Sequence, residues 1–156
     1  MQTFLPYRDF AECAACLDNK RLGKQRVEAK QILIALGVGV GQHEGTPTSR
    51  WRSHPAVKMW RGYERALAKY SIEICHEWRR RGFKDSLLPQ FRSLMARINF
   101  GTEVLPIWER PRWFNSSELY SSHRSNLLRK LPEHYSAFGW TEDDSMPYFW
   151  PTENGF

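Results

Sequence analysis

"HPAVKMWRGYERALAKYSIEICHEWRRRG", residues 54–82, is the stretch that decides the fold class. Within it Ala56, Trp60, Tyr63, Leu67, Tyr70, Ile74 and Trp78 recur at spacings of four and three. That is the period of one apolar face of an α-helix, so the spacing predicts a long helix opening at Pro55 and closing at Gly82. Proline suits a first helical turn, and Ser53 and His54 are the candidate caps before it. Arg79, Arg80 and Arg81 complement the negative end of the helix dipole. The Trp and Tyr stripe reads as core rather than as a platform for stacking bases.

Outward from this helix the pattern stays helical. From about Phe10 to Leu36, the residues Leu22, Ala29, Leu33 and Leu36 form an inward stripe, while Arg21, Lys24 and Glu28 share another face. "GVGVGQHEGTPTS", residues 37–49, has the glycine, proline and threonine density of a loop. Its glycines do not make a nucleotide cradle, because they follow a helix and lack the Gly-Lys-Ser/Thr ending. A third helix is expected over Pro89 to Asn99. The connector "VLPIWERPRWF", residues 104–114, is followed by a shorter helix that begins at Ser116 or Ser117 and runs through "ELYSSHRSNLLRK". "PEHYSAF", residues 132–138, adds another turn or two. Residues 141–156 carry four acids and no Lys or Arg, and "MPYFWP" within them is apolar enough to pack back on the body. No internal repeat and no run of period-two strands is present. The expectation is an all-α protein, one compact helical domain over residues 1–156 with long loops and an acidic, aromatic tail at 141–156.

At 156 residues such a chain buries a core without staples. A net charge of +6 makes nucleic acid the leading class of partner, ahead of an anionic membrane surface. Cys13, Cys16 and Cys75 are odd in number and make no disulfide framework, and the Cys13–Cys16 pair has no second half to complete a zinc site. They read as small buried thiols. The start "MQTFLPYRDF" does not look like a secretion signal, and "ILIALGVGV" is about half of what a membrane span needs. The expectation is a cytoplasmic, soluble monomer with no membrane partner and no metal or other cofactor.

The positive charge gathers in four places: the first helix, "SRWRSHPAVKMWR", "RRRGFK", and "RPRWF" with "HRSNLLRK". Clusters on several elements suit contacts to the phosphate backbone of double-stranded DNA, although a solvated basic surface would look the same. The candidate DNA-binding residues are Lys20, Arg21, Lys24, Arg26, Arg52, His54, Arg112, Trp113, His123, Arg124 and Lys130. His54 is either a helix cap or a phosphate contact, and His123 either lines the DNA surface or is a buried structural histidine. None of the usual sequence-reading modules is present, which points to chemistry on the nucleic acid. Base flipping would give loop aromatics such as Trp113 and Phe114 a use.

Glu28 is the anomaly. In "NKRLGKQRVEAKQIL", residues 19–33, it is the one acid among five cations. Among those cations it is expected to stay ionised. Cleavage of an N-glycosidic bond builds positive charge on the sugar, as glycoside hydrolysis does, and a fixed carboxylate stabilises that charge while the cations hold the flanking phosphates. The alternative is an ordinary i,i+4 ion pair with Lys24.

Taken in order, "LDNKRLGKQRVEAKQIL", "SHPAVKMW", "CHEWRRRGF" and "HRSNLLRK" resemble the pyrimidine-dimer DNA glycosylase family, of the phage endonuclease V type. The likeness rests on Leu17, Asp18, Lys20, Leu22, Glu28, His54, Pro55, Arg81, Gly82 and Phe83, and runs over about residues 1 to 130. It implies a compact, mainly helical, endonuclease V-like fold that flips a base and cuts its glycosidic bond, with Glu28 as the catalytic carboxylate. It also implies an N-terminal α-amine nucleophile that forms a Schiff base and allows strand cleavage, an AP-lyase step. An α-amine with an ordinary pKa of about 8 keeps a usable neutral fraction where lysine does not. Here that amine is either Met1's, displaced by one residue, or unused, because Gln2 is too large for ready removal of the methionine before it. The basic residue expected near the start is also absent from "MQTF". Lys20 or Lys24 is a substitute amine, and a water-using glycosylase, one for another modified base, or a non-catalytic DNA-binding protein on the same scaffold are the alternatives.

Overall fold

A computed structural model describes residues 1–105 and 110–151, and these described residues form seven α-helices. They are α1 (Phe10–Cys16), α2 (Asn19–Ala35), α3 (Pro55–Lys58), α4 (Glu64–Arg80), α5 (Leu88–Asn99), α6 (Ser117–Lys130) and α7 (Pro132–Tyr135), with short 3-10 turns between some of them. No strand occurs among the described residues, and the class is all-α. None of the described helices is long and apolar enough to cross a membrane.

The expected first helix is two. Leu17 is extended, and the Asp18 carboxylate accepts the Arg21 N–H at 3.3 Å, capping a new start. The apolar stripe of Leu22, Ala29, Leu33 and Leu36 lies wholly beyond the break, so its spacing did not fix where the helix starts. The long second helix is also divided. His54 Nδ1 accepts the Ala56 N–H at 3.0 Å and Pro55 opens α3, but the helix stops after one turn. Gly62, at φ +86°, reverses the chain, its N–H donates to Glu64 Oε1 at 3.0 Å, and α4 begins there. Gly82 ends α4 at φ +91°, with its N–H on the Arg79 carbonyl and the Phe83 N–H on that of Trp78.

α4 is the centre of the packing, against α1, α2 and α5. Trp60, Leu67, Tyr70 and Ile74 are fully buried there with Leu22, Ile32, Leu33 and Phe91. Residues 2–5 are threaded into the same core. Trp60 Nε1 donates to Thr3 Oγ1 at 2.9 Å, the Tyr70 hydroxyl lies 2.9 Å from the Phe4 carbonyl, and the Leu5 N–H donates to His123 Nδ1 at 2.8 Å. The chain start is thereby locked between α2, α4 and α6. The last described segment runs back along α6. The N–H groups of Met146 and Phe149 donate to Ser125 Oγ and Ser122 Oγ at 3.0 and 3.1 Å, and Arg124 pairs with Glu142.

Cys13, Cys16 and Cys75 are buried free thiols. Burial pushes the Cys16 thiol up to about 12, so it has no thiolate to offer at neutral pH.

Candidate active site

The Asp18 cap sets the phase of α2. It turns Leu22, Gln25, Ala29, Ile32 and Leu33 inward and leaves Lys20, Arg21, Lys24 and Glu28 along one side. That side forms a wall of a cavity of about 320 Å³, which Met1, Lys130 and Tyr148 close from the chain start, the end of α6 and the tail. Four cations therefore surround one half-buried carboxylate.

Glu28 is held in place by two donors, both on Oε2. They are the peptide N–H of Gln2 at 3.4 Å and Gln25 Nε2 at 3.1 Å. The first ties the carboxylate to the start of the chain, the second to the floor of the cavity. The alternative i,i+4 pair with Lys24 is not among these two donors.

Titration shifts around the cavity trace the same cluster. The Lys130 amine is lowered by burial and by the charges of Arg21, Arg129 and Lys24, with Glu28 opposing. Burial lifts Tyr148 to about 12, and Glu28 adds to that. His54 is lowered, first by burial and then by the Met1 ammonium, again with Glu28 opposing. The chain's α-amine, Glu28 and His54 thus lie within electrostatic reach of one another.

Of the residues singled out from the sequence, Met1, Glu28, Lys20, Arg21, Lys24 and Lys130 come together here. The others do not line this cavity. Arg26 lies over the Trp78 ring at 4.7 Å and pairs with the Asp85 carboxylate, whose side chain is fully buried. Arg52 donates to the Pro47 carbonyl of its own loop at 3.0 Å. His54 caps α3 through Nδ1 and is half-buried. Arg112 is exposed, and its peptide N–H donates to the Tyr63 hydroxyl at 3.4 Å. Trp113 is buried, donating from Nε1 to the Met59 carbonyl at 2.8 Å and meeting Trp60 edge to face, with Phe114 beside it. Neither is a loop aromatic free to enter DNA, because both complete the core. His123 is also fully buried, the structural histidine rather than a surface one, and burial holds it down to about 3. Arg124 is engaged by Glu142 and by the Pro6 carbonyl at 2.8 Å.

Sequence reasoning missed Gln2, Gln25 and Tyr148. Gln25 had a local signal, since it stands three residues before Glu28 on the inward side of α2. Gln2 and Tyr148 reach the cavity only through long-range folding. Among the described residues no cluster of His, Cys, Asp and Glu could hold a metal ion.

A family model described as pyrimidine dimer DNA glycosylase matches residues 1–88. The matched part holds Met1, Gln2, Gln25, Glu28 and the cations of α2, while Lys130 and Tyr148 lie beyond it. No curated protein and no solved structure matches the chain.

Proposed function

The chain belongs to the pyrimidine dimer DNA glycosylase family, and from that premise we propose that it cuts the N-glycosidic bond of a damaged base in double-stranded DNA, a pyrimidine dimer first among candidates. One observation carries the reading: a single oriented carboxylate, Glu28, sits in a cavity otherwise ringed by Lys20, Arg21, Lys24 and Lys130. The cations hold the phosphates on either side of the lesion and fix its register. As the base departs, its sugar becomes cationic, and Glu28 stabilises that charge where a further cation would oppose it. One copy of the chain, acting as one domain, carries every group this step uses.

We further propose strand cleavage through the Met1 amine, which shares the cavity. The neutral amine bonds to the sugar C1′ as the C1′–base bond breaks and the base takes up a proton. Opening of the sugar ring gives an imine, and loss of a C2′ proton then expels the 3′ phosphate. The nitrogen bonded to Glu28 is the Gln2 peptide, whose lone pair is delocalised and not nucleophilic. Met1 must therefore bring its amine to C1′ from one residue away.

The test is incubation with duplex oligonucleotides, undamaged or carrying one cyclobutane thymine dimer, with and without borohydride. Excision on the dimer with a borohydride-trapped adduct mapped to Met1 by mass spectrometry is the expected result. Alkali-labile abasic product without trapping would remove the amine step and leave a water-using glycosylase. No product on the dimer would overturn the dimer assignment.

A further inference from the structure

Gln25 is 1% exposed, yet it forms part of the floor beneath Glu28. Its side-chain amide has two hydrogens and two accepting positions, and all four have partners. Nε2 donates to the Gln2 carbonyl at 2.9 Å and to Glu28 Oε2 at 3.1 Å. Oε1 accepts the Phe4 N–H at 2.9 Å and lies 2.7 Å from the Tyr70 hydroxyl, whose one hydrogen it shares with the Phe4 carbonyl at 2.9 Å. The orientation of the amide is unambiguous, because a peptide N–H must meet the oxygen and a peptide carbonyl must meet the nitrogen. Tyr70 is fully buried and its hydroxyl is held well above its ordinary pKa, by burial first and by nearby Cys13, Cys16 and Glu28 after it, so it remains a donor.

We propose that Gln25 is the positioning residue of this site. Its amide sets the separation and orientation of the Glu28 carboxylate relative to residues 2–4 at the chain start. This inference rests on the catalytic reading of Glu28. The physical case is that no other side chain of this length does both jobs. A carboxylate at position 25 would keep the acceptors for Phe4 and Tyr70 but turn an oxygen toward the Gln2 carbonyl and Glu28. A methionine would fill the space and leave the buried Phe4 N–H and Gln2 carbonyl without partners. With both amide hydrogens engaged, Gln25 has none to give to substrate, so its effect belongs in the rate of excision rather than in DNA affinity.

Two variants, Gln25→Glu and Gln25→Met, test this with three readouts: single-turnover excision on the dimer duplex, Kd for the uncut duplex, and amide hydrogen exchange at residues 2–5. Displacing a reacting group by about 1 Å costs on the order of 100-fold. We expect a rate loss of at least about 10-fold in both variants by the same reasoning. Affinity should change much less, and exchange at Phe4 should speed up in Gln25→Met with the rest of the fold protected. A folded variant that excises at the wild-type rate overturns the proposal. Tyr70→Phe removes one hydroxyl from the same hub and should slow excision several-fold, so the proposal stays exposed if neither Gln25 variant folds; an unchanged rate there overturns it. If the wild type does not act on the dimer, the functional reading fails separately. The exchange measurement then decides: unchanged protection of Phe4 in Gln25→Met overturns the positioning role, and faster exchange confined to residues 2–5 supports it.

Discussion

The peptide N–H of Gln2 donates to Glu28 Oε2 at 3.4 Å, joining the first residues of the chain to the middle of α2. Gln2 is itself buried, and its side-chain Nε2 has no partner. A smaller residue at position 2 removes that unsatisfied group and permits loss of Met1, which would convert the nitrogen beside Glu28 from a peptide into a free amine. In protein made to begin at Met1, Gln2→Ser should therefore lose the methionine by mass and raise the borohydride-trapped fraction several-fold. Trapping that stays at the wild-type level despite processing would contradict the amine step.

The cations of α2 divide into two kinds. Lys24 is exposed on the cavity rim, so Lys24→Ala should weaken DNA binding across sequences and reduce the slope of log K against log salt by about 0.9. Arg26 instead pairs with Asp85, whose carboxylate also accepts the N–H groups of Leu87 and Leu88 at the start of α5. Arg26→Ala should leave the salt slope nearly unchanged and cost about 3 kcal/mol in urea unfolding, the lower end for a broken buried pair, because Arg79 still reaches Asp85. Equal effects of the two substitutions on the salt slope would refute this division.

His123 gives the fold a defined acid response. It is neutral when folded because burial holds it down to about 3, whereas in the unfolded chain it takes up a proton below about 6.5. Between those values the unfolded state binds more protons, so stability present above pH 6.5 is lost as the pH falls toward 3. The loss from this group approaches about 1.4 kcal/mol per pH unit within the window. His123→Asn should be less stable at neutral pH yet flatter on acidification, as urea midpoints across a pH series would reveal. A variant with the wild-type acid slope would show that other groups control it.

Gly23 sits on α2 beneath the Trp78 ring, and a Cβ there would come within 2.9 Å of it. The ring has little room to move, since Phe83 stacks on it at 4.2 Å, Arg26 lies over it, and its Nε1 donates to the Lys84 carbonyl. Alanine gains about 1 kcal/mol in helix propensity but overpacks by about 1–3 kcal/mol. Gly23→Ala should lower the melting temperature by a few degrees; an increase would mean that the Trp78 stack yields readily.

What could be read from the sequence was whatever repeats at a helical period. The buried stripe of Trp60, Leu67, Tyr70 and Ile74 was legible, and so was the common side of Arg21, Lys24 and Glu28. The breaks at Asp18 and Gly62 were not: the stripe of α2 begins only at Leu22, apolar spacing continues across Gly62, and the decision lies in cap hydrogen bonds and a positive φ. Charge alone did not say which cations would meet DNA. Arg26 and Arg124 are engaged by Asp85 and Glu142, partners distant in sequence, and Trp113 was drawn into the core by the Met59 carbonyl and Trp60. Gln25 went unnoticed because an amide in a basic helix looks like solvent-facing filler until the chain start folds onto it.

The central claim is that Glu28 stabilises the cationic sugar, and the most direct measurement compares wild type with Glu28→Gln on a duplex carrying one thymine dimer. Single-turnover excision and Kd for uncut duplex would be read side by side. Excision should fall by about 100- to 1,000-fold, the size seen when one preorganised electrostatic group is removed, while the duplex binds as well or more tightly because a negative charge has gone from a basic surface. A Glu28→Gln protein that excises the dimer at the wild-type rate would contradict that claim.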